Sequence, residues 1–393
     1  MPTRPPRLRP LLLAVGLLPL AVAGVELGVR AADSYSGGAL SRPPCPTSYT
    51  VPSPLARHAL SAFGHVIDRD PDTGATHEVS LNSLGLRGGE AAMPKPIGVR
   101  RVLLLGDEAT FAAGLPEEET FAGRLVPALS AAAARATPGA SAEVINAAIP
   151  GDCPLLSVLR LRRLGALQPD LILLCVRPSD LAEDARYRRD LLTDEDGRPV
   201  ACPHPAVAGG ELTTKAPTPA WWRDSLAVRL AGRALAGPDR CPLTGEPLAP
   251  AVDPLSGGPQ AALAAEQALT PLTDLTRMAD GLGVRAALVL LPDGPGGGSA
   301  GNSAAVRLIL DAAAAAELRA YNAALVLAGT AHGDGGNAGP ATGPFLTKRG
   351  ALTRAGHARL AEALAEFLLS APPADPVGGA PDGGAAVGGA PTG

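Results

Sequence analysis

The sequence feature that most restricts the fold of this chain is a recurring unit of one short apolar run, one loop and one amphipathic segment. Residues 101–105 form the first such run, Gly106 ends it, and helical periodicity extends from Pro116 to residue 136. Short apolar runs of this kind are typical of parallel strands that are buried on both faces. We therefore predict an α/β fold, a three-layer arrangement in which helices flank a parallel sheet.

The rest of the chain divides around this repeated unit. Further strands are predicted at 143–147, 170–176 and 284–291, and further helices at 154–167, 260–282, 303–327 and 353–369. Residues 97–370 are predicted to form the domain, with an insertion at 185–259 that contains a helix at 221–236. The other predicted parts are a signal or anchor segment at 1–32, a linker and irregular lead-in at 33–96 with order from near Val66, and a disordered tail at 371–393.

The N-terminus carries a basic cluster followed by an apolar segment. Arg4, Arg7 and Arg9 precede the apolar residues 10–25, and Glu26 is the first acidic residue of the chain. Positive charge before an apolar run is typical of an export signal, and the run also fits an uncleaved transmembrane helix of about 20 residues. We expect a domain outside the cytoplasm, either membrane-anchored through this helix or secreted after cleavage.

The composition argues against several classes of function. The net charge is -4, and the basic residues form no face with interleaved aromatics, so no nucleic-acid partner is expected. The five cysteines lack the Cys-x-x-Cys spacing of a zinc ribbon, and the glycines at 296–298 lack the Lys-Ser/Thr pair of a phosphate-binding loop. The sequence therefore predicts neither a cofactor nor a structural metal.

Chemistry-bearing residues follow the predicted strands. Ligands bind outside the carboxyl ends of the strands in an open parallel sheet, so the loops there are expected to meet at one site. These loops read GDE at 106–108, IPGD at 149–152 and RPSD at 177–180, and the last helix is preceded by KRGALT at 348–353.

Five blocks of sequence carry a family resemblance. They read NSLGLR from Asn82, RVLLLGDEATFAAGLPEEETF from Arg101, VINAAIPGD from Val144, PDLILL from Pro169 and LTRAGHARLAEALAEFL from Leu352. In the order and setting of these blocks, the chain resembles the SGNH (GDSL-type) hydrolase family over residues 82–369. The resemblance implies a flavodoxin-like sheet and an esterase site in which a Ser after Gly-Asp attacks the ester.

The chain departs from this family at the positions that perform catalysis. Glu108 stands at the position of the nucleophilic Ser, Arg349 at that of the orienting Asp, and Ala351 at that of the general-base His. Gly151 matches the Gly that offers a backbone N–H to the oxyanion, whereas Ser179 replaces the Asn. The resemblance thus implies a ligand pocket without catalytic side chains, formed by Gly106, Asp107, Glu108, Gly151 and Ser179.

Two histidines are not expected to supply the missing base. His357 matches a non-catalytic His inside the last helix of the family, and His332 lies in a glycine-rich segment. Nucleophilic catalysis needs an attacking group, a base within hydrogen-bond reach and an orienter for that base, and all three family positions are changed.

Three functions are consistent with these residues. The first is a pseudoenzyme, an esterase-like domain that binds a glycan, an acyl group or a partner protein without cleaving it. The second is an active ester hydrolase or acyltransferase that uses the adjacent acids Asp107 and Glu108. The third is a divalent-cation-binding domain, with oxygen ligands from Asp107, Glu108, Asp152 and Asp180. A simpler role for Glu108 is an ion pair with Arg177 or Arg349 that closes the vacated pocket, and we favour this interpretation.

Overall fold

The computed structural model describes residues 23–32, 35, 50–70, 72–204, 207, 225, 227, 231, 259–293, 304–327, 345–347 and 351–370. Ahead of the main sheet, two antiparallel hairpins pair β1 (Thr50–Pro52) with β2 (His58–Leu60) and β3 (His65–Arg69) with β4 (Thr76–Ser80). The prediction that order begins near Val66 is therefore wrong. Strands as short as β1 and β2 contain too few residues to show an alternating pattern.

A five-stranded parallel sheet forms the centre of the domain. Its strands are β5 (Val99–Leu105), β6 (Ser141–Asn146), β7 (Leu171–Val176), β10 (Arg285–Leu290) and β11 (Arg319–Asn322), while β8 (Leu192–Thr193) and β9 (Pro199–Ala201) form a separate hairpin. Across the sheet the order is β11-β10-β7-β5-β6, and every neighbouring pair is parallel. Counted along the chain, this is the 2-1-3-4-5 order of flavodoxin-like folds. In such a sheet the connections from the first strand and from the third strand run in opposite directions, which leaves a crevice at the carboxyl ends of these two strands. Here the two strands are β5 and β7, and their boundary is the switch point of the sheet.

Helices cover both faces of this sheet. In chain order they are α1 (Glu108–Phe111), α2 (Phe121–Ala136), α3 (Pro154–Leu164), α4 (Asp180–Tyr187), α5 (Pro259–Leu282), α6 (Ala304–Ala315), α7 (Ala324–Leu327) and α8 (Arg354–Leu369). On one face, α3, α5 and α6 pack against side chains such as Leu103 and Ile172, and on the other α2 and α8 pack against Leu104 and Leu173. Neighbouring residues of a strand point to opposite faces, which is why a central strand such as β7 is apolar along its whole length. Burial of each such side chain contributes about 1.5–3 kcal/mol, and the predicted three-layer α/β fold is confirmed.

Two predicted helices differ from the structure. The helix predicted from Pro116 begins instead at Phe121, because the hydroxyl of Thr120 caps it by accepting from the Gly123 N–H at 3.1 Å. The single helix predicted at 303–327 is wrong, since α6 ends at Ala315 and β11 then pairs with β10. Alanine-rich sequence favours helix locally, but pairing in the sheet overrides that propensity.

Several predictions concern residues outside the part of the chain that the structure describes. These are the apolar segment up to residue 22, most of the helix at 221–236, the glycines at 296–298, His332, Arg349 and the tail at 371–393. Among the helices of the described residues, none combines the length and the apolar character needed to cross a membrane.

Candidate functional site

The loop after β5 places an acidic pair at the switch point. Gly106 ends the strand at φ 154°, and a Cβ atom on it would lie 2.5 Å from the Thr110 hydroxyl oxygen, so this close turn requires glycine. The buried carboxylate of Asp107 then caps α1 by accepting a hydrogen bond from the Ala109 N–H at 2.9 Å. Glu108, the first residue of α1, is left at the crevice with 49% of its side chain exposed.

Arg177, the first residue after β7, joins the two acids. Its guanidinium donates to the Asp107 carboxylate through Nε and Nη2, and to Glu108 Oε1 through Nη2 at 2.5 Å. The side chains of Asp107 and Arg177 are only 3% and 16% exposed, so this part of the ion pair is shielded from water. The predicted ion pair of Glu108 with Arg177 is therefore confirmed, whereas Arg349, the other predicted partner, lies outside the described residues.

The Gly151 N–H, which the family resemblance assigns to the oxyanion, is taken by Glu108. It donates to Glu108 Oε2 at 3.3 Å, in a turn where Gly151 has φ 82°. One oxygen of the carboxylate thus faces Arg177 and the other faces the Gly151 amide. A negatively charged group of the chain itself occupies the donor that a reacting ester oxygen would use in the family.

Ser179 is paired with a residue that sequence reasoning missed. Its N–H and its hydroxyl both donate to Asp293 Oδ1, at 3.1 and 2.5 Å. Asp293 lies shortly after β10, and its place at the carboxyl edge of a predicted strand is the signal that could have identified it. A carboxylate is a weak base toward a serine hydroxyl, so this pair does not make Ser179 a nucleophile.

Burial and the ion pair shift the titration of the acids. Burial raises the pKa of Asp107 to about 6, although Arg177 opposes the rise. Burial acts in the same direction on Glu108, but the charge of Arg177 and the hydrogen bond from Gly151 hold the pKa of Glu108 below its ordinary value. Burial also raises the pKa of Asp180, whose carboxylate accepts from the Arg177 N–H at 2.8 Å. At neutral pH the Glu108 carboxylate is therefore ionised in its contact with Arg177.

A second buried cluster, behind this turn, contains a Ser, a His and an Asp. Asp152 accepts two hydrogen bonds from Arg160, at 2.6 and 2.8 Å, and its oxygens lie 3.4 Å from His58 Nε2 and 3.5 Å from the Ser157 hydroxyl. The acid stands between the hydroxyl and the imidazole and is neutralised by Arg160, so these residues are not arranged as nucleophile, base and orienter. The cluster instead supports the turn, since His58 Nε2 lies 3.2 Å from the carbonyl oxygen of Pro150.

Three of the four acids considered as cation ligands are bound to arginine side chains, and the fourth, Asp180, accepts from the backbone N–H of Arg177. Asp107 and Glu108 pair with Arg177, and Asp152 pairs with Arg160. Within the described ranges, no group of three or more His, Cys, Asp or Glu side chains is placed to hold a metal ion. These three carboxylates are thus neutralised by guanidinium groups and are not free to form a cage of oxygen ligands.

Neither His357 nor Ala351, the two residues considered near the last helix, provides a base. His357 is 2% exposed, its Nδ1 accepts from the Phe121 N–H at 3.1 Å, and its ring stacks on that of Phe121. Burial lowers the pKa of His357 to about 3, so its imidazole is a neutral structural group. Ala351 is exposed, and its N–H donates to the Thr347 hydroxyl at 3.1 Å.

The chain is similar to several solved esterase structures. A psychrotrophic esterase, EstA from Pseudoalteromonas sp., is 14% identical with a TM-score of 0.37, and the match covers 69% of this chain and 97% of that one. A lipase/acylhydrolase from Enterococcus faecalis is 14% identical with a TM-score of 0.34, and the match covers 68% of this chain and 95% of that one. A protein of the lipolytic G-D-S-L family from Desulfitobacterium hafniense is 12% identical with a TM-score of 0.34, and the match covers 68% of this chain and 98% of that one. No protein-family model and no curated protein matches the sequence. Because the TM-scores are low, the fold rests on the strand order and the buried faces described above.

Proposed function

We propose that this chain is an SGNH-type, esterase-like domain that binds a ligand and does not hydrolyse esters. The observation that carries the proposal is the position of the Glu108 carboxylate, which bridges the Gly151 N–H and Arg177 where the family places its Ser nucleophile and the ester oxygen. An anion at this position repels a second anion, so the oxyanion of an ester-hydrolysis intermediate is disfavoured there.

The geometry weighs against rewired acid chemistry at Asp107 and Glu108. Both Asp107 oxygens already accept hydrogen bonds, one from Ala109 and the other from Arg177, so neither is oriented toward a substrate proton. A lowered pKa makes the Glu108 carboxylate a weaker base and a weaker nucleophile.

The turnover assay that tests the proposal uses the full-length chain with 4-nitrophenyl acetate and with acetylated sugars. We expect the wild type, Glu108→Gln and the control Glu118→Gln to show the buffer rate of hydrolysis. Glu118 is a matched control because it is an exposed glutamate of the loop before α2. Hydrolysis by the wild type and Glu118→Gln that is lost in Glu108→Gln would overturn the proposal and establish an acid mechanism.

We also propose that the domain lies outside the cytoplasm, where its ligand is a glycan, an acyl group or a partner protein. The basic cluster before the apolar residues 10–25 supports export. Fractionation of cells, with sequencing of the mature N-terminus, distinguishes a membrane-bound chain that keeps this segment from a secreted chain that lacks it. An intact chain found in the cytosolic fraction would contradict export.

A further inference from the structure

We infer that the crevice between β5 and β7 is a carboxylate-binding site that Glu108 itself occupies. The inference deepens the proposed function and rests on it for the location of the ligand. The donors are already arranged for one carboxylate, because Arg177 Nη2 meets Glu108 Oε1 at 2.5 Å and the Gly151 N–H meets Oε2 at 3.3 Å. Charge-assisted hydrogen bonds from a guanidinium, combined with a backbone N–H, suit the two oxygens of a carboxylate.

The donors are held in place by groups other than Glu108. Arg177 is anchored by its contact with the buried Asp107, and its own N–H donates to Asp180 at 2.8 Å. The Gly151 amide belongs to the turn that the buried cluster around Asp152 supports. Without the Glu108 side chain, two oriented donors remain and one negative charge is lost, and a bound carboxylate restores that charge.

Glu108 is the part of the site that a ligand can displace. Its side chain is 49% exposed, whereas that of Asp107 is 3% exposed, and half-exposed ion pairs are held weakly. A ligand that carries a carboxylate and makes further contacts in the crevice can therefore take over the same donors. A small free acid cannot, because the Glu108 carboxylate is held beside these donors and an oriented intramolecular group competes at an effective concentration far above that of any free acid. The ligand class is a molecule that carries a free carboxylate.

The test is chemical rescue of Glu108→Ala by acetate, the fragment that this substitution deletes beyond Cβ. The full-length wild type, Glu108→Ala and Glu108→Gln are titrated with sodium acetate at constant ionic strength, and the midpoint of thermal unfolding is measured. For Glu108→Ala we expect a rise of about 2–4 °C at about 1 M acetate that grows with the logarithm of the acetate concentration, as a dissociation constant on the order of 100 mM requires. The wild type and the isosteric Glu108→Gln should not respond to acetate, and Glu108→Ala should not respond to the uncharged acetamide.

An equal response of all three proteins to acetate, or none in Glu108→Ala, would overturn the inference. Adding Arg177→Met to Glu108→Ala should abolish the rescue, and if that double variant fails to fold, the comparison of Glu108→Ala with Glu108→Gln still decides. Since this experiment measures binding, its failure would leave the proposed lack of ester hydrolysis intact. Ester turnover by the wild type would refute the proposed function, but it would not change the conclusion that the acetate titration gives on carboxylate binding.

Discussion

Replacement of Arg177 by Met should destabilise the fold by an amount that depends on pH. Arg177 has two short ion pairs of different strength, with Asp107 and Glu108, and a longer contact of 4.0 Å with Asp180. Its contact with Asp107 is buried, whereas Glu108 is 49% exposed and its pair contributes at most about 1 kcal/mol. Met removes the charge but retains a flexible apolar chain, so the uncompensated carboxyl of Asp107 dominates the loss.

The magnitude follows from the pKa of Asp107. Its pKa of about 6 in the fold lies above the ordinary 3.8, so its ionisation opposes folding, and stability falls as the pH rises between these values. Above pH 6 the carboxyl is ionised in the wild type but stays protonated in Arg177→Met, which costs the variant about 1.4 kcal/mol for each further pH unit. The penalty is about 1–2 kcal/mol at pH 7 and about 3 kcal/mol at pH 8, in addition to about 1–2 kcal/mol for lost hydrogen bonds. Below about pH 5 only the second contribution remains, because Asp107 is protonated in both proteins.

Urea unfolding followed by circular dichroism, at about pH 5, 6, 7 and 8, measures this difference. Arg163→Met is the matched control, because Arg163 is an exposed arginine of α3, and its unfolding free energy should stay within about 0.5 kcal/mol of the wild type at each pH. A cost for Arg177→Met below about 1 kcal/mol at pH 8, or a cost that does not change with pH, would refute the reasoning.

Gly106→Ala should lower the free energy of unfolding by about 1–3 kcal/mol, because its Cβ would lie 2.5 Å from the Thr110 hydroxyl. The control Gly281→Ala, whose Cβ would have no atom within 4 Å, should be neutral or stabilising. Equal effects of the two substitutions would contradict the requirement for glycine at 106. His357→Ala should cost about 2–4 kcal/mol in the same measurement, since it leaves a cavity and removes the acceptor of the Phe121 N–H. A cost below about 1 kcal/mol would contradict this structural role. A variant with the family's catalytic residues restored should hydrolyse 4-nitrophenyl acetate; it carries Glu108→Ser, Ser179→Asn, Arg349→Asp and Ala351→His. We expect its rate to be about 100-fold higher than that of the same variant that keeps Glu108. Equal rates in two folded proteins would count against the alignment with the family.

The central sheet could be predicted because its strands carry their own signal. Strands such as Leu171–Val176 are buried on both faces, which makes them apolar without interruption, and each is followed by a segment with helical periodicity. The edge strand Arg319–Asn322 has no such run, and its strand conformation depends on pairing with β10. No local pattern encodes that long-range contact, so the sequence predicts one alanine-rich helix at 303–327 where the structure has a helix that ends at Ala315 and then this strand.

The candidate site was predictable to the same extent. Glu108 and Arg177 follow strands whose carboxyl ends the topology brings together, so their ion pair could be expected from sequence. The contact of His58 with the turn at Pro150 could not, because it depends on where the lead-in hairpins pack against the domain. Asp293, by contrast, follows a predicted strand at the same edge of the sheet, so its bond to Ser179 could also be expected from the topology.

Covalent labelling tests most directly whether the crevice lacks an activated nucleophile. The full-length chain is incubated with a fluorophosphonate, which bonds to activated serines, and its intact mass is measured beside that of an active serine esterase. Glu108 is bound to Arg177 and the Ser179 hydroxyl is bound to Asp293, so the mass of this chain should remain unchanged while the esterase gains one phosphonyl group. A stoichiometric adduct on Ser179, or on another serine at this edge of the sheet, would contradict the account.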